Sequence, residues 1–344
     1  MKLIRMFGLG LMTALLGTAL LAAQEEKPTA KKASPKAATK KPASATPPDM
    51  TNVAYGSDPK FNVIDLWKAK SDKPTPLVIF IHGGGFGGGD KNQIRTQLPL
   101  DEFLKAGVSC ASIDYRRLQP NPGPRQVIYP AIFLDCARAV QFCRYKAKEW
   151  NLDPTRFACA GGSAGAGMSL WIGFHKDLAD LQSDDPVARQ STRLTCVAVF
   201  NAQTSYDPRW IKEQLPGKAY MTPNIWQLVG IDCPPWGSPV EKFDEMFKNL
   251  TTEKARLLED CSPINHLTAE APPVFLHYLG QPLKPRKDEN DNIHQIGFAL
   301  RLKEKMDALK VECEIAAGWP ENPESTGPDK TDIEFVLRHF GMKK

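Results

Sequence analysis

Residues 157–169 read FACAGGSAGAGMS, and within them Gly161-Gly162-Ser163-Ala164-Gly165 follows the pattern G-x-S-x-G. The apolar run RFACA before the glycines predicts a strand, and GMSLWIGFH after them predicts a helix. A serine between the two sits on a sharp strand-to-helix turn with its hydroxyl exposed. Glycine is required at 161 and 165 because a side chain would clash in so tight a turn. A hydroxyl remains a weak nucleophile until a neighbouring base takes its proton. The stretch therefore names Ser163 as a nucleophile and asks for a partner.

Working outward, five more nearly continuous apolar runs predict strands: 76–82 (PLVIFIH), 108–115, 194–200, 273–280 and 311–318. Strands buried on both faces read this way in a parallel sheet. Helical patterns fall between them. Residues 131–150 bring Ile132, Cys136, Ala139, Val140 and Cys143 to one face. Residues 293–310 place Ile296, Leu300, Leu302, Met306 and Leu309, and a last helix covers about 329–340. Such alternation predicts an α/β fold with a mostly parallel central sheet. Residues 203–262, rich in proline and tryptophan, break it. They are expected to form a cap-like insertion over the carboxyl edge of the sheet, where α/β proteins bind ligands. A long packed connection is the plainer reading of the same stretch.

The strand PLVIFIH runs directly into His82-Gly83-Gly84-Gly85-Phe86-Gly87-Gly88-Gly89-Asp90-Lys91. Glycines let a backbone approach a reacting oxygen and aim N–H groups at it. Acyl transfer needs such donors for its developing oxyanion, each worth about 3 kcal/mol. Gly84, Gly85 and Ala164 are the expected donors. His82 and Phe86 are expected to face the substrate, with a structural role as the alternative for His82. A phosphate cradle is excluded, since neither G-x-x-x-x-G-K-[ST] nor a following acidic ribose ligand is present.

The blocks VAYGSDPKFNVIDLW (53–67), IHGGGFGGGDK (81–91), SIDYRR (112–117), FLDCARAVQF (133–142), NLDPTRFACAGGSAG (151–165) and CSPINHLTAEAPPVFLHYLG (261–280) occur in this order. Together they resemble the carboxylesterase branch of the α/β-hydrolases, with its hormone-sensitive-lipase-like and BD-FAE-like esterases. The likeness spans roughly residues 53–315 and is most specific at HGGGF and GGSAGA. It implies an α/β-hydrolase three-layer sandwich, ester hydrolysis through an acyl-serine, and no cofactor or metal. Ala166 is a small departure, standing where these enzymes often carry another glycine.

The departures at the triad are larger. The usual order is serine, then an acid after the next-to-last strand, then histidine after the last. The acid position falls on Leu283, and residues 317–330 contain no histidine. Of the six histidines, His277 lies within a strand as a satisfied core residue, and His339 lies on the final helix facing solvent. His266 precedes a strand, and His175 closes the helix that Ser163 opens, about 18 Å away at 1.5 Å per residue. His294 remains, with Asp288, Glu289 and Asp291 just before it. Triads are recognised by geometry rather than position. His294 is thus the candidate base, with Asp291 or Asp288 as orienter, and a helix N-terminus would lower its pKa. An ordinary pocket-lining role is its alternative. Lys330, Glu321 and Glu324 are poor substitutes, because a free lysine is protonated and an exposed carboxylate is a weak base.

The 344-residue chain is 42% hydrophobic and 24% charged, an ordinary globular composition. Lys2 and Arg5 precede an apolar stretch, Phe7 to Ala23, which reads as a signal peptide over residues 1–23. Its 17 residues with three glycines are short for a membrane span. Secretion or a periplasmic location is therefore expected. Residues 24–50, mostly Lys, Ala, Pro, Ser and Thr, are expected to be a disordered linker, followed by one catalytic domain over 51–344. The first 50 residues carry a net charge of +5, as does the whole chain, so the remainder is neutral. A neutral domain argues against nucleic acid as a partner, while the lysine-rich tail could touch an anionic surface. Among eight cysteines there is no C-x-x-C, and Cys233 with Cys261 is the first candidate for a disulfide.

These readings converge on a secreted serine esterase. Its substrate would be a small-molecule ester, or an acylated carbohydrate as the resemblance implies. The alternative is an impaired pseudo-hydrolase that binds esters, glycans or a partner without turnover. Loss of a triad member typically leaves only about 10³–10⁴-fold acceleration over water.

Overall fold

The computed structural model describes residues 43–119, 128–235, 237–284, 293–319 and 322–342. Their centre is a nine-stranded sheet: β1 (Met50–Ala54), β2 (Val63–Trp67), β3 (Thr75–Ile81), β4 (Ser109–Ile113), β5 (Leu152–Gly162), β6 (Cys196–Phe200), β7 (Val274–Leu279), β8 (Cys313–Gly318) and β9 (Glu324–Ser325). The strand order is β1-β2-β4-β3-β5-β6-β7-β8-β9. The six strands from β4 through β8 run parallel, and β1, β2 and β9 add antiparallel edges. All six parallel strands coincide with apolar runs. The edge strands carry no comparable run: β1 is largely exposed, β9 has two residues, and β2 is a five-residue piece behind a polar turn.

Eleven α-helices and three single-turn 3-10 helices accompany the sheet among the described residues; the α-helices are α1 (Ile94–Gln97), α2 (Leu100–Lys105), α3 (Ala131–Tyr145), α4 (Ala147–Trp150), α5 (Ala164–Phe174), α6 (Pro208–Gln214), α7 (Pro223–Gln227), α8 (Val240–Lys248), α9 (Thr252–Asp260), α10 (Gly297–Ala308) and α11 (Asp332–His339). Successive residues of a strand point to opposite faces, and both faces here are covered. Leu77, Ile79, Phe157, Cys159, Val197, Val199, Leu276 and Ile315 pack with α3, α5 and α10. Val78, Phe80, Ala158, Ala160, Cys196, Ala198, Phe275 and Ala316 pack with Phe103 of α2 and Phe335 of α11. That arrangement is a three-layer sandwich, and it explains why the central strands lack polar alternation.

The insertion supplies α6 to α9, with Trp226, Phe243 and Leu258 fully buried. Its tryptophans at 210 and 226 serve packing: Trp210 stacks near Phe298 at 6.2 Å, and Trp226 meets Phe247 at 5.2 Å.

Several expectations need correction. Part of the linker is ordered. Ser44 and Thr46 hydroxyls donate to Asp101 at 2.9 and 2.6 Å, Arg95 donates to the carbonyls of both, and Met50 begins β1. Polar residues there find fixed partners, which composition does not disclose. The signal-peptide stretch and residues 24–42 lie outside the described residues. All eight cysteines are free thiols, so Cys233 and Cys261 are not bridged; Cys261 is buried and behaves as a small core residue. Finally, His339 is half-buried, its ring tilted against Phe335 at 4.4 Å between centroids and its Nε2 3.6 Å from Glu312, rather than facing solvent.

Candidate active site

Ser163 lies between β5 and α5 with φ 53° and ψ −122°, a conformation that non-glycine residues adopt only under constraint. The constraint comes from close packing. A Cβ at Gly161 would run into Ile81 O, and one at Gly165 into Ile81 O and His82 O. The two glycines thus let the turn press against β3, a reason more specific than room within the turn itself. Ser163 N–H donates to Phe200 O at 3.1 Å, and Ser163 O accepts from Gly167 N at 3.1 Å, opening the helix. The side chain remains partly exposed.

The glycine loop leaves β3 beside this turn; the Cβ position of Gly83 is 3.4 Å from Ser163 Cβ. Gly84 adopts φ 117°, and its carbonyl accepts from Gly87 and Gly88 N–H at 3.2 and 2.9 Å. This tight turn leaves the N–H groups of Gly84 and Gly85 donating to no acceptor within the described structure. Ala164 is the first residue of α5, where backbone N–H groups have no intrahelical partner. The three expected donors therefore remain available around one serine. From the insertion, Asn224 Nδ2 donates to Gly85 O and ties the loop from above.

His82 and Phe86 depart from expectation. His82 is 0% exposed, its ring stacked on Tyr115 at 4.2 Å and its Nδ1 donating to Gly83 O at 2.8 Å. Burial pushes its pKa down to about 4, so it stays neutral and braces the loop from below. Asp114, 3.6 Å from His82 Nε2, accepts from Lys91 N–H at 2.8 Å and has its own pKa raised by burial. Phe86 is 3% exposed and packs against Phe133 and Tyr206 at 5.9 and 5.3 Å. Apolar burial outweighs the pull of the adjacent glycines at both positions.

The partner of Ser163 is His294. Its Nε2 lies 2.8 Å from Ser163 Oγ, although 131 positions separate the residues. His294 is not at the helix N-terminus expected for it. It occupies a turn before α10, whose N-cap is Ile296. Burial, rather than a helix dipole, holds its pKa below the ordinary 6.5. Leu283, at the usual acid position, is half-buried against the core. Asp288, Glu289 and Asp291 lie outside the described residues, as does Glu321. Glu324 is exposed on β9, and Lys330 is exposed before α11. His175, His266 and Trp171 form a separate ring cluster, with Trp171 and His175 stacked at 4.3 Å between centroids and the two histidines tilted at 4.7 Å. His277 Nε2 donates to Gly318 O at 3.2 Å.

Sequence reasoning missed Asn224 and the buried His82–Asp114–Lys91 brace. Only the proximity of Lys91 to the glycines hinted at the latter.

A mostly parallel sheet of this order, with a serine on the sharp turn leaving β5, defines an α/β-hydrolase. Residues 64–281 match the BD-FAE family, and the chain belongs to it. It is 26% identical over 226 residues to esterase LipC of Mycobacterium tuberculosis, covering 65% of this chain and 49% of LipC. The chain thus spans about half the length of the curated relatives it matches. A truncated carbohydrate esterase from gut microbiota superposes with TM-score 0.60 at 17% identity, covering 88% of this chain and 99% of that one. An acetyl ester-xyloside bifunctional hydrolase from Caldicellulosiruptor lactoaceticus gives 0.54 at 23% identity, covering 81% and 86%. At such identities these likenesses speak for the fold alone.

Proposed function

We propose that this chain hydrolyses carboxylic esters through an acyl-serine on Ser163, with His294 as general base and Asp291 as the orienting carboxylate. The observation that carries the reading is the 2.8 Å approach of His294 Nε2 to Ser163 Oγ beside unpaired loop amides. Neutral His294 accepts the Oγ proton as Oγ attacks the ester carbonyl carbon, and the oxyanion takes hydrogen bonds from Gly84, Gly85 and Ala164. The imidazolium then protonates the leaving alcohol oxygen as its C–O bond breaks. Water, deprotonated by His294, attacks the acyl carbon, and Ser163 departs with its proton restored. Placing the base on the loop after β7 keeps the three roles and the serine–acid–histidine chain order, but moves the histidine from the loop after β8 to the loop that carries the acid.

The substrate in this proposal is an acylated carbohydrate, a choice supported by the names of the carbohydrate esterase and the xyloside hydrolase that share the fold. Residues 1–23 direct export to the periplasm or beyond, and the lysine-rich tail adds a weak anionic-surface contact.

A fluorophosphonate probe tests the chemistry. Ser163 should label rapidly, and His294→Ala and Asp291→Asn should each slow labelling and p-nitrophenyl acetate turnover by about 10³-fold or more. Wild-type turnover in His294→Ala would rule the assignment out.

A further inference from the structure

Ser163 stands at the end of β5 and His294 on the loop after β7, so β6 runs between nucleophile and base. The segment that leaves β6 touches both. Phe200 O accepts from Ser163 N–H at 3.1 Å. Three residues later, Gln203 is 3% exposed, and its Nε2 donates to Asn201 O and to Ile293 O, each at 3.1 Å. Ile293 immediately precedes His294. A single four-residue stretch, 200–203, therefore joins the backbone of the nucleophile to the backbone of the base, independently of the bond between their side chains.

The stretch is itself anchored. Asn201 N–H donates to His277 O at 2.8 Å, and Asn201 Oδ1 accepts from Leu279 N–H at 3.0 Å, locking it to β7. On the far side of His294, Gln295 Nε2 donates to Pro216 O at 3.1 Å, and Gln281 Oε1 accepts from Ile296 N–H at 3.3 Å. Of these contacts, that of Gln203 comes from the segment that also accepts from Ser163 N–H.

We propose that Gln203 is a positioning residue for His294: its amide nitrogen bridges two carbonyls and sets where the imidazole stands over Ser163. This inference rests on the reading of Ser163 and His294 as nucleophile and base. The residue type fits the task, because one primary amide nitrogen carries two donors. Glutamate of equal length offers only acceptors to the same carbonyls when ionised, and methionine of similar length offers no donor. In either case the carbonyl of Ile293 loses its partner and the turn bearing His294 resettles. A misplacement of about 1 Å at a reacting group costs on the order of 100-fold in rate.

The test compares full-length wild type, Gln203→Met, Gln203→Glu and His294→Ala. Fluorophosphonate labelling to completion counts competent sites, and p-nitrophenyl acetate gives kcat and KM per counted site. Both Gln203 variants should lose about 10- to 100-fold in kcat and in labelling rate, with KM within twofold of wild type. The plateau of labelled protein should stay near wild type. A lower plateau with kcat per labelled site unchanged would mean that Gln203 only supports folding, and would overturn the proposal. So would kcat per site within twofold of wild type in both variants while His294→Ala is inactive, leaving the Ser163–His294 reading intact. Undiminished turnover in His294→Ala would instead sink that underlying reading. Should Gln203→Met fail to fold, Gln203→Glu supplies the same measurements.

Discussion

Replacing Gly165 by alanine sets two effects of opposite sign against each other. Gly165 is the second residue of α5, and alanine in place of helical glycine ordinarily stabilises by about 0.5–1 kcal/mol. At this position, however, the new methyl would meet Ile81 O and His82 O, both backbone atoms of the neighbouring strand and loop. A carbonyl held in a parallel ladder cannot swing aside as a flexible side chain would. Overpacking of this kind costs about 1–3 kcal/mol. The net expectation is a loss of about 0–2.5 kcal/mol, where propensity alone predicts a gain. Function should suffer more, because relief of the clash moves Ser163 away from Gly84 and Gly85. A shift near 1 Å corresponds to about 100-fold in kcat/KM. Urea unfolding and p-nitrophenyl acetate hydrolysis of purified Gly165→Ala measure both quantities. A variant more stable than wild type by about 1 kcal/mol, with full activity, would refute the claim that this turn is wedged against β3.

Three further outcomes follow from particular residues. His82, fully buried with its pKa lowered from 6.5 to about 4, favours folding fully above pH 6.5 and loses that contribution as pH falls toward 4. The linkage amounts to about 3 kcal/mol between pH 7 and 4, so the urea midpoint should fall over that range, and less steeply in His82→Gln. Asn224→Ala removes the donor to Gly85 O and should lower kcat about 10-fold; Asn224→Asp, which sets a carboxylate against that carbonyl, should be worse. Denatured protein without reductant should titrate eight thiols with a disulfide reagent, whereas six would indicate a bridge.

The central strands were legible because burial on both faces leaves a continuous apolar run, a pattern visible without knowing what covers it. The last helix, expected over about 329–340, forms at Asp332–His339 with Ile333, Phe335, Val336 and Leu337 buried. Strands β1 and β9 were not, since a short or exposed edge strand is held by one neighbour and needs little apolar character. The helix expected from residue 293 begins at Gly297, because the residues before it are occupied by side-chain bonds from Gln203 and Gln281. Local periodicity contains no trace of such tertiary partners. The inward turn of His82 was hidden for the same reason: its stacking partner Tyr115 and its neighbour Asp114 lie just past the end of another strand, β4.

What the amino-acid order determined by itself was local: a serine flanked by glycines at the end of an apolar run, and a second glycine run at the end of another. Both are backbone conformations, decided by which residues tolerate close approach and positive φ. What only the tertiary structure decided was who meets whom. His294 reaches Ser163 across 131 positions, and Asn224 reaches Gly85 across 139, because parallel strands deliver their following loops to one edge of the sheet. Strand order, set by packing of the whole sandwich, brings those loops together, and no short window of sequence encodes that order.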